Sequence, residues 1–273
     1  MGGPDMAPQT PRSGLRPGFA GAVFGLVVWL AVVSPFGVEG RDRSLGRRVY
    51  TEHCAICHGA EGDGRGHAAH HFATPPRDFV GGRYKIRSTA TGQLPTDDDL
   101  ARSIVRGLPG TAMVPQDHLG EAEVRAVVEF IKSLSPRFAA AAARPVPLVI
   151  AAEPPGAGDR LARGRAVYDK AECQECHGRE GRGDGPSAKD LKVNPTDLTR
   201  RPFKGGSTAR DIVRTVITGF DGTPMPSYHL LIDEGDLWDL ARYVESLGGP
   251  AETTPDERAG WHVVRMHQPR RPH

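Results

Sequence analysis

Two short cysteine motifs constrain this chain more than any other feature of its sequence. Residues Cys54 to His58 (CAICH) and Cys173 to His177 (CQECH) share the pattern C-x-x-C-H. Together they use all four cysteines of the 273-residue chain. Residues three apart lie on one face of a helix, so both thiols of a motif face the same way and a histidine follows at once.

This spacing is the one used for covalent attachment of haem c, in which two thioether bonds hold one edge of the porphyrin and the histidine binds iron. C-x-x-C also occurs in redox dithiols and as half of a zinc site. A dithiol requires a thioredoxin-like βαβ context, which the sequence lacks, and a four-cysteine zinc site leaves both histidines unexplained. The motifs therefore predict two covalently bound haem c groups. The predicted attachment residues and axial iron ligands are Cys54, Cys57, Cys173 and Cys176, with His58 and His177.

The sequence around the first motif is repeated around the second. The matched segments are 46–50 with 164–168, 76–79 with 195–198, 110–113 with 222–225, and 130–134 with 243–247. The first copy holds 7 extra residues, around Ile86 to Pro95. Duplication of one domain, followed by changes in loop length, explains the whole pattern.

Each copy resembles a class I cytochrome c domain, over residues 44–134 and 162–247. The features follow the family's order, which is a helix entering C-x-x-C-H, a glycine-rich loop, a proline, a short helix, a methionine loop and a final helix. The resemblance implies an all-α fold of two tandem cytochrome c domains, each a small helical fold wrapped around a covalent haem. It therefore implies a tandem dihaem c-type cytochrome.

Met113 and Met225 are the predicted second axial ligands of the two irons. They occupy equivalent places in the repeats, within loops rich in glycine and proline, whereas Met1, Met6 and Met266 lie near the chain ends. Proline fixes φ and removes a backbone donor, which suits a loop that holds a thioether on iron. Thioether ligation raises the reduction potential of a haem. A methionine that only fills the core is the alternative.

The resemblance also implies that a proline carbonyl accepts a hydrogen bond from each iron-binding histidine. Pro76 and Pro195 each lie 18 residues after their motif histidine, and ordinary turn prolines are the alternative. His118 and His229 follow the methionines and are interpreted as packing or surface residues, with replacement of methionine on iron as the alternative. Pairing with the haem propionates, against a default of solvated charge, is a hypothesis for Arg83, Tyr84, Lys85 and Lys204.

Apolar residues recur at helical spacing over Glu121 to Leu134 and Leu237 to Leu247, and Thr96 to Asp99 predicts a capped helix start. The predicted organisation has five parts. These are residues 1–40 with a basic n-region and a hydrophobic signal peptide or membrane anchor at about 19–38, domain 1 at 41–136, an Ala/Pro-rich linker at 137–160, domain 2 at 161–248, and a polar tail at 249–273.

The N-terminal segment predicts where the haem domains reside. Residues 19–38 are uncharged and mostly apolar, which fits a cleaved signal or a retained anchor. Either interpretation places both domains in the bacterial periplasm, soluble after cleavage or anchored to the cytoplasmic membrane. The net charge is only +2 and there is no basic stripe, so the sequence predicts no nucleic-acid partner.

Two haems with closed His/Met coordination predict an electron carrier with no catalytic residue, serving redox partner proteins of a respiratory chain or a periplasmic dehydrogenase. One variant of this hypothesis is a haem-bearing subunit through which electrons enter a membrane oxidase or dehydrogenase complex. A dihaem peroxidase is the rival from another class, and it requires an open iron, which methionine in both repeats argues against. A redox or gas sensor requires a signalling domain, and the sequence shows none.

Overall fold

The computed structural model describes residues 36–72, 74–141, 144–156 and 158–248. Within these ranges the regular structure is helical and contains no strand, as the all-α prediction requires. In chain order the α-helices are α1 (Phe36–His53), α2 (Ala55–His58), α3 (Asp97–Arg106), α4 (Glu121–Ser133), α5 (Pro136–Ala140), α6 (Arg160–Lys170), α7 (Gln174–His177), α8 (Ala209–Thr218) and α9 (Glu234–Leu247). Short 3₁₀ turns, Ala69–His71 and Ala188–Asp190, follow α2 and α7.

Each domain is built on the contact between its first and last long helices. Helix α1 packs on α4 in the first domain, and α6 packs on α9 in the second. At each contact a glycine faces a backbone carbonyl of the other helix, Gly46 that of Ala126 and Gly164 that of Asp239, and neither has room for a Cβ atom. Glycine at these positions therefore lets the two backbones approach closely.

The apolar stripes predicted from helical periodicity form the two cores. Helix α4 buries its stripe against α1 and α3, and α9 does so against α6 and α8. The main core residues of the first domain are Val49, Tyr50, Leu100, Ile104, Val127 and Ile131. Those of the second domain are Tyr168, Ile212, Val216, Leu237, Leu240 and Val244.

The middle helix of each domain begins with the cap that the sequence predicts for α3. The Thr96 hydroxyl accepts a hydrogen bond from the Asp99 N–H at 3.1 Å, and the Asp99 carboxylate accepts one from the Thr96 N–H at 3.1 Å. Thr208 and Asp211 form the same capping box at the start of α8. These reciprocal bonds satisfy N–H groups that a helix start otherwise leaves unpaired.

The segment predicted as a linker packs along both domains. After α5, the N–H of Leu148 donates to the Ser88 carbonyl of the first domain at 2.8 Å. The side chains of Leu148 and Ile150 pack against the core of the second domain. Further along, the Glu153 carboxylate binds Arg242 of α9 at 2.5 Å. Residues 144–156, which we call the strap, therefore contact both domains, whereas composition alone indicated only a linker.

Parts of the predicted organisation fall outside the described residues. The apolar segment 19–38 does so except for its last three positions, which begin α1, and the tail 249–273 does so entirely. The predicted start of domain 1 at residue 41 lies inside α1. Among the described residues, no helix combines the length and the apolar character that crossing a bilayer demands.

Candidate haem-binding sites

Each C-x-x-C-H motif folds into a short helical turn directly after a long helix. The Cys54 N–H donates to the Tyr50 carbonyl at 2.9 Å, and the His58 N–H donates to the Cys54 carbonyl at 2.9 Å. The same two bonds recur in the second motif, at 3.0 and 2.9 Å. Helical pairing across each motif gives the one-sided arrangement of thiols that attachment to a porphyrin edge requires.

The side chains of all four cysteines are half-buried. Burial raises the pKa of the Cys54 thiol to about 11, with a further contribution from Cys57, and burial raises the pKa of Cys173 to about 11. A zinc site needs thiolates and four converging ligands. In the described ranges, no group of three or more His, Cys, Asp or Glu side chains is arranged to hold a metal ion. The geometry therefore does not support the zinc alternative.

The motif histidines are held in a tautomer that leaves Nε2 available to a metal. Nδ1 of His58 lies 2.9 Å from the carbonyl oxygen of Arg77, and Nδ1 of His177 lies 2.9 Å from that of Thr196. A carbonyl oxygen only accepts, so Nδ1 carries the proton and Nε2 keeps its lone pair for a metal. Burial lowers the pKa of both imidazoles, which keeps them in the neutral form that metal ligation requires.

The accepting carbonyls correct the sequence prediction by one residue. Pro76 and Pro195 were the predicted acceptors, yet the bonds go to the residues that follow them. The proline carbonyls instead face Gly64 and Gly183, at 2.9 and 2.8 Å from where a Cβ would stand. Consecutive carbonyls of a non-helical segment point to opposite sides, so the next carbonyl turns toward the imidazole.

Two buried tyrosines support the motifs and were not singled out from the sequence. The Tyr50 hydroxyl donates to the Gly59 carbonyl at 2.7 Å, and the Tyr168 hydroxyl donates to the Gly178 carbonyl at 2.7 Å. Each glycine directly follows a motif histidine, so each tyrosine fixes the chain where it leaves the motif. Their signal lay in the repeat, where a tyrosine occupies the same place in both copies.

Met113 and Met225 lie in equivalent, internally hydrogen-bonded loops. The Leu108 N–H donates to the Met113 carbonyl at 2.9 Å, and the Phe220 N–H donates to the Met225 carbonyl at 3.1 Å. In each loop the threonine two residues earlier accepts a bond from the methionine N–H, at 3.2 and 3.3 Å. Both side chains are half-buried, and Met113 borders the same core as Cys54.

The surroundings of Tyr84 fit the carboxylates of a haem. Its hydroxyl is buried and has no hydrogen-bond partner among the described residues. A buried hydroxyl without an acceptor is costly, and a propionate is an acceptor. Burial lowers the pKa of Lys85, and the charges of Arg77 and Lys204 lower it further, which indicates a surplus of positive charge near this point. Thiols, neutral imidazoles, thioethers and spare donors together match the chemistry of haem c.

Among the residues that the structure describes, the histidines outside the motifs lie at the surface. His118 and His229 are exposed, and the His118 ring contacts the ring of His53 at a centroid distance of 5.1 Å. His67, His70 and His71 are also exposed, around the first 3₁₀ turn. These placements agree with the interpretation of His118 and His229 as packing or surface residues.

Two family models match the two domains. The model described as cytochrome c matches residues 44–135, and the model described as cytochrome c oxidase, cbb3-type, subunit III matches residues 159–244. The chain belongs to the cytochrome c family. It is a tandem c-type cytochrome that binds two haem c groups covalently, which confirms the predicted family, fold class and cofactor.

Relatives with curated names extend the likeness to both domains together. The chain is 31% identical over 207 residues to the cbb3-type cytochrome c oxidase subunit CcoP of Azospirillum brasilense, a match that covers 75% of this chain and 61% of that protein. It is 25% identical over 210 residues to the subunit FixP of Azorhizobium caulinodans, covering 76% and 60%. The chain thus spans about three fifths of the length of these relatives.

A solved structure shows the same arrangement of elements. It is described as the Kuenenia stuttgartiensis reducing HAO-like protein complex Kustc0457/Kustc0458, and its matching chain is 38% identical with a TM-score of 0.72. The match covers 75% of this chain and 96% of that one. Together the comparisons agree with a c-type cytochrome that carries two haem domains in one chain.

Proposed function

We propose that this cytochrome passes electrons between partner proteins through two haems whose axial positions are both filled by the protein. His58 and Met113 serve the first haem, and His177 and Met225 serve the second. The supporting observation is that both domains pair an imidazole oriented by a backbone carbonyl with a methionine in a hydrogen-bonded loop. Haem supplies one-electron transfer when it is bound, and ligands on both sides keep substrates from the iron.

We further propose that the chain is a subunit through which electrons enter a larger redox complex. Its relatives are named as oxidase subunits and its structural counterpart belongs to a named complex. Exposed apolar side chains follow each methionine in the sequence: Val114, the next residue after Met113, is 62% exposed, and Leu230, five residues after Met225, is 88% exposed. Such side chains suit contact with a partner protein, because removing apolar surface from water is favourable in free energy.

We place this function in the bacterial periplasm, with residues 19–38 as a cleaved signal or a membrane anchor. The support is the uncharged, apolar character of that segment and the covalent attachment of haem c, which fits maturation outside the cytoplasm. Purification of the natively matured protein from its own membranes tests both the membrane attachment and the proposed complex. Recovery with other redox subunits is expected, and recovery only as a soluble monomer would refute the complex while leaving the carrier role intact.

The axial ligands are tested by the near-infrared charge-transfer band of methionine-ligated ferric haem. Replacing Met113 or Met225 singly with histidine should remove half of the band, because each methionine serves one of two haems. Replacing Met266 with leucine is the matched control and should leave the band unchanged. An oxidised wild-type protein without this band, showing the spectrum of bis-histidine haem, would overturn the ligand assignment.

A further inference from the structure

The insertion that distinguishes the first domain contacts the methionine loop of the second. Residues 86–95 stand where the second domain has only residues 205–207. From this insertion Arg87, Thr91 and Gly92 all bond to the second domain. Their partners are Thr218 and Asp221, which lie just before Met225 in the sequence. We refer to these five residues as the insertion contact.

Arg87 is the centre of the insertion contact. Its guanidinium is fully buried and donates to the Thr218 carbonyl at 2.9 Å while pairing with the Asp221 carboxylate at 2.9 Å. The same guanidinium donates to the Ala90 and Tyr84 carbonyls of its own domain, at 3.2 and 3.3 Å. A planar fork of donors suits this simultaneous bonding to two domains, and a lysine would not reproduce it.

The contacted atoms lie at the base of the Met225 loop and within it. Thr218 ends α8, where the last carbonyls of a helix have no partner within the helix and favour a nearby cation. The Thr91 hydroxyl also donates to the Thr218 carbonyl, at 3.0 Å. Asp221 lies inside the loop, four residues before Met225, and accepts a bond from the Gly92 N–H at 3.1 Å. The first domain therefore anchors the loop both at its base and within its turn.

The repeat provides an internal comparison for this arrangement. The Met113 loop has the same internal hydrogen bonds as the Met225 loop. At the place of Asp221, however, it carries Pro109, which has no carboxylate to bind a guanidinium. The second domain also lacks the insertion that would reach across to it. The ion pair of the insertion contact therefore has no counterpart at the first haem.

We propose that Arg87 is a positioning residue for Met225, acting through Thr218 and Asp221. By fixing the loop from the neighbouring domain, it makes methionine ligation of the second haem depend on the docking of the two domains. The proposal rests on the assignment of Met225 as an axial ligand. It concerns only the second haem, because the ion pair with Asp221 has no equivalent in the Met113 loop.

The test is imidazole binding to the oxidised, haem-loaded protein, read together with the near-infrared band. Imidazole binds the iron only in molecules whose methionine has left it. The apparent affinity for imidazole therefore reports the fraction of molecules in which the methionine loop is open. Arg87→Met should raise the affinity of one haem by about tenfold or more, as expected from losing a charge-assisted bond, and should weaken up to half of the band. In a Met113→His background the remaining band comes from Met225, so there the loss should be seen directly.

Arg163→Met is the matched control. It removes a guanidinium of the second domain that binds Asp239, a carboxylate that also keeps Arg160 as a partner. This variant should match the wild type in both readouts. A folded Arg87→Met protein, shown by circular dichroism, that retains the wild-type band and imidazole affinity would refute the proposal.

If Arg87→Met does not yield folded, haem-loaded protein, two milder variants test the proposal instead. Asp221→Asn and Thr91→Val keep Arg87 and each weaken one part of the insertion contact. A raised imidazole affinity at one haem in either variant supports the proposal, and wild-type affinity in both refutes it. Failure of the ligand assignment itself would be recognised by a different result. In that case Met225→His, made in the otherwise wild-type protein, would leave the near-infrared band unchanged.

Discussion

The hydrogen bond from each motif histidine to a backbone carbonyl sets the chemistry of the site at the level of single residues. The acceptor is a main-chain oxygen of Arg77 or Thr196, so no change of those side chains removes it directly. Only the local path of the backbone decides whether the bond forms. Gly64 packs against the preceding carbonyl, that of Pro76, and so contributes to this path of the backbone.

Tyr84 gives a prediction at the same scale. If its buried hydroxyl donates to a propionate of the first haem, Tyr84→Phe removes a bond that offsets negative charge near the iron, and the reduction potential of that haem should fall. Because this bond exists in both oxidation states, only the difference in its strength shifts the potential, so a bond of about 1 kcal/mol sets an upper limit of roughly 40 mV for a one-electron couple. Potentiometric titration measures the shift.

Phe203 occupies the place of Tyr84 in the second domain and provides the reciprocal variant. Phe203→Tyr should raise the potential of the second haem if a propionate lies within reach there, and should leave the first haem unchanged. An unaltered titration in Tyr84→Phe would show that the hydroxyl does not bind the haem.

Single residues also show how far the sequence determines the site. The attachment cysteines could be predicted, because haem c attachment requires this residue type at one spacing, whereas the histidine and methionine ligands are still predictions. The carbonyl partner could not, because the choice between Pro76 and Arg77 depends on backbone direction, which a proline restricts only in part. Arg87 carried no signal, because a lone arginine in a loop is ordinarily solvated.

Helix contacts carry the next level of organisation, and the glycine at each α1–α4 and α6–α9 contact is the most demanding position. Gly164→Ala would drive a Cβ into the Asp239 carbonyl of α9. Such overpacking costs about 1–3 kcal/mol, which should appear as earlier unfolding of the second domain. Chemical denaturation followed by the absorbance of the haem measures the effect.

Gly235 offers a matched control on α9. No atom lies within 4 Å of where its Cβ would stand. Gly235→Ala should therefore stabilise the helix by about 0.5–1 kcal/mol, because alanine loses less backbone freedom on folding. If the two substitutions gave effects of the same sign, close approach at Gly164 would not be the reason for its glycine.

Helices whose apolar residues recur at helical spacing could be predicted from the sequence, whereas segments without such a pattern could not. The helices α4 and α9 and the cap at Thr96 follow from apolar spacing and capping chemistry. The strap at residues 144–156 has neither period nor cap, since alternating proline and apolar residues suit many paths. Its place is fixed by tertiary contacts such as Leu148 with Ser88.

At the scale of the whole molecule, the strap is held to the second domain by a small charge network around Glu153. Its carboxylate binds Arg242 of α9 at 2.5 Å and Arg160 of α6 at 2.7 Å. The hydrogen bond from Arg242, with that from Arg160, lowers the pKa of Glu153. The network therefore joins the strap to both helices that frame the second domain.

The lowered pKa predicts how the stability of the molecule depends on pH. A carboxyl group whose pKa is lower when folded stabilises fully above its ordinary pKa of 4.5 and loses this contribution as pH falls through the folded value. Glu153→Gln should therefore reduce unfolding free energy by about 1 kcal/mol near pH 7. The difference from wild type should vanish in acid.

Denaturant unfolding at several pH values measures this difference. Glu129→Gln, at an exposed ion pair on α4, is the control and should change stability by less near pH 7. A Glu153 effect that stayed constant down to the most acidic pH would mean that ionisation is not its source.

The two halves of the duplication are no longer interchangeable. The first copy has the longer loop, which contacts the methionine loop of the second, and the described residues show no matching ion pair in the other direction. Reversing the order of the copies, or fusing two copies of the second, would still give two haem-binding domains. Either change would also remove the contact that Arg87 makes beside the Met225 loop. The two domains thus share one origin, but only the first contacts the methionine loop of the other in this way.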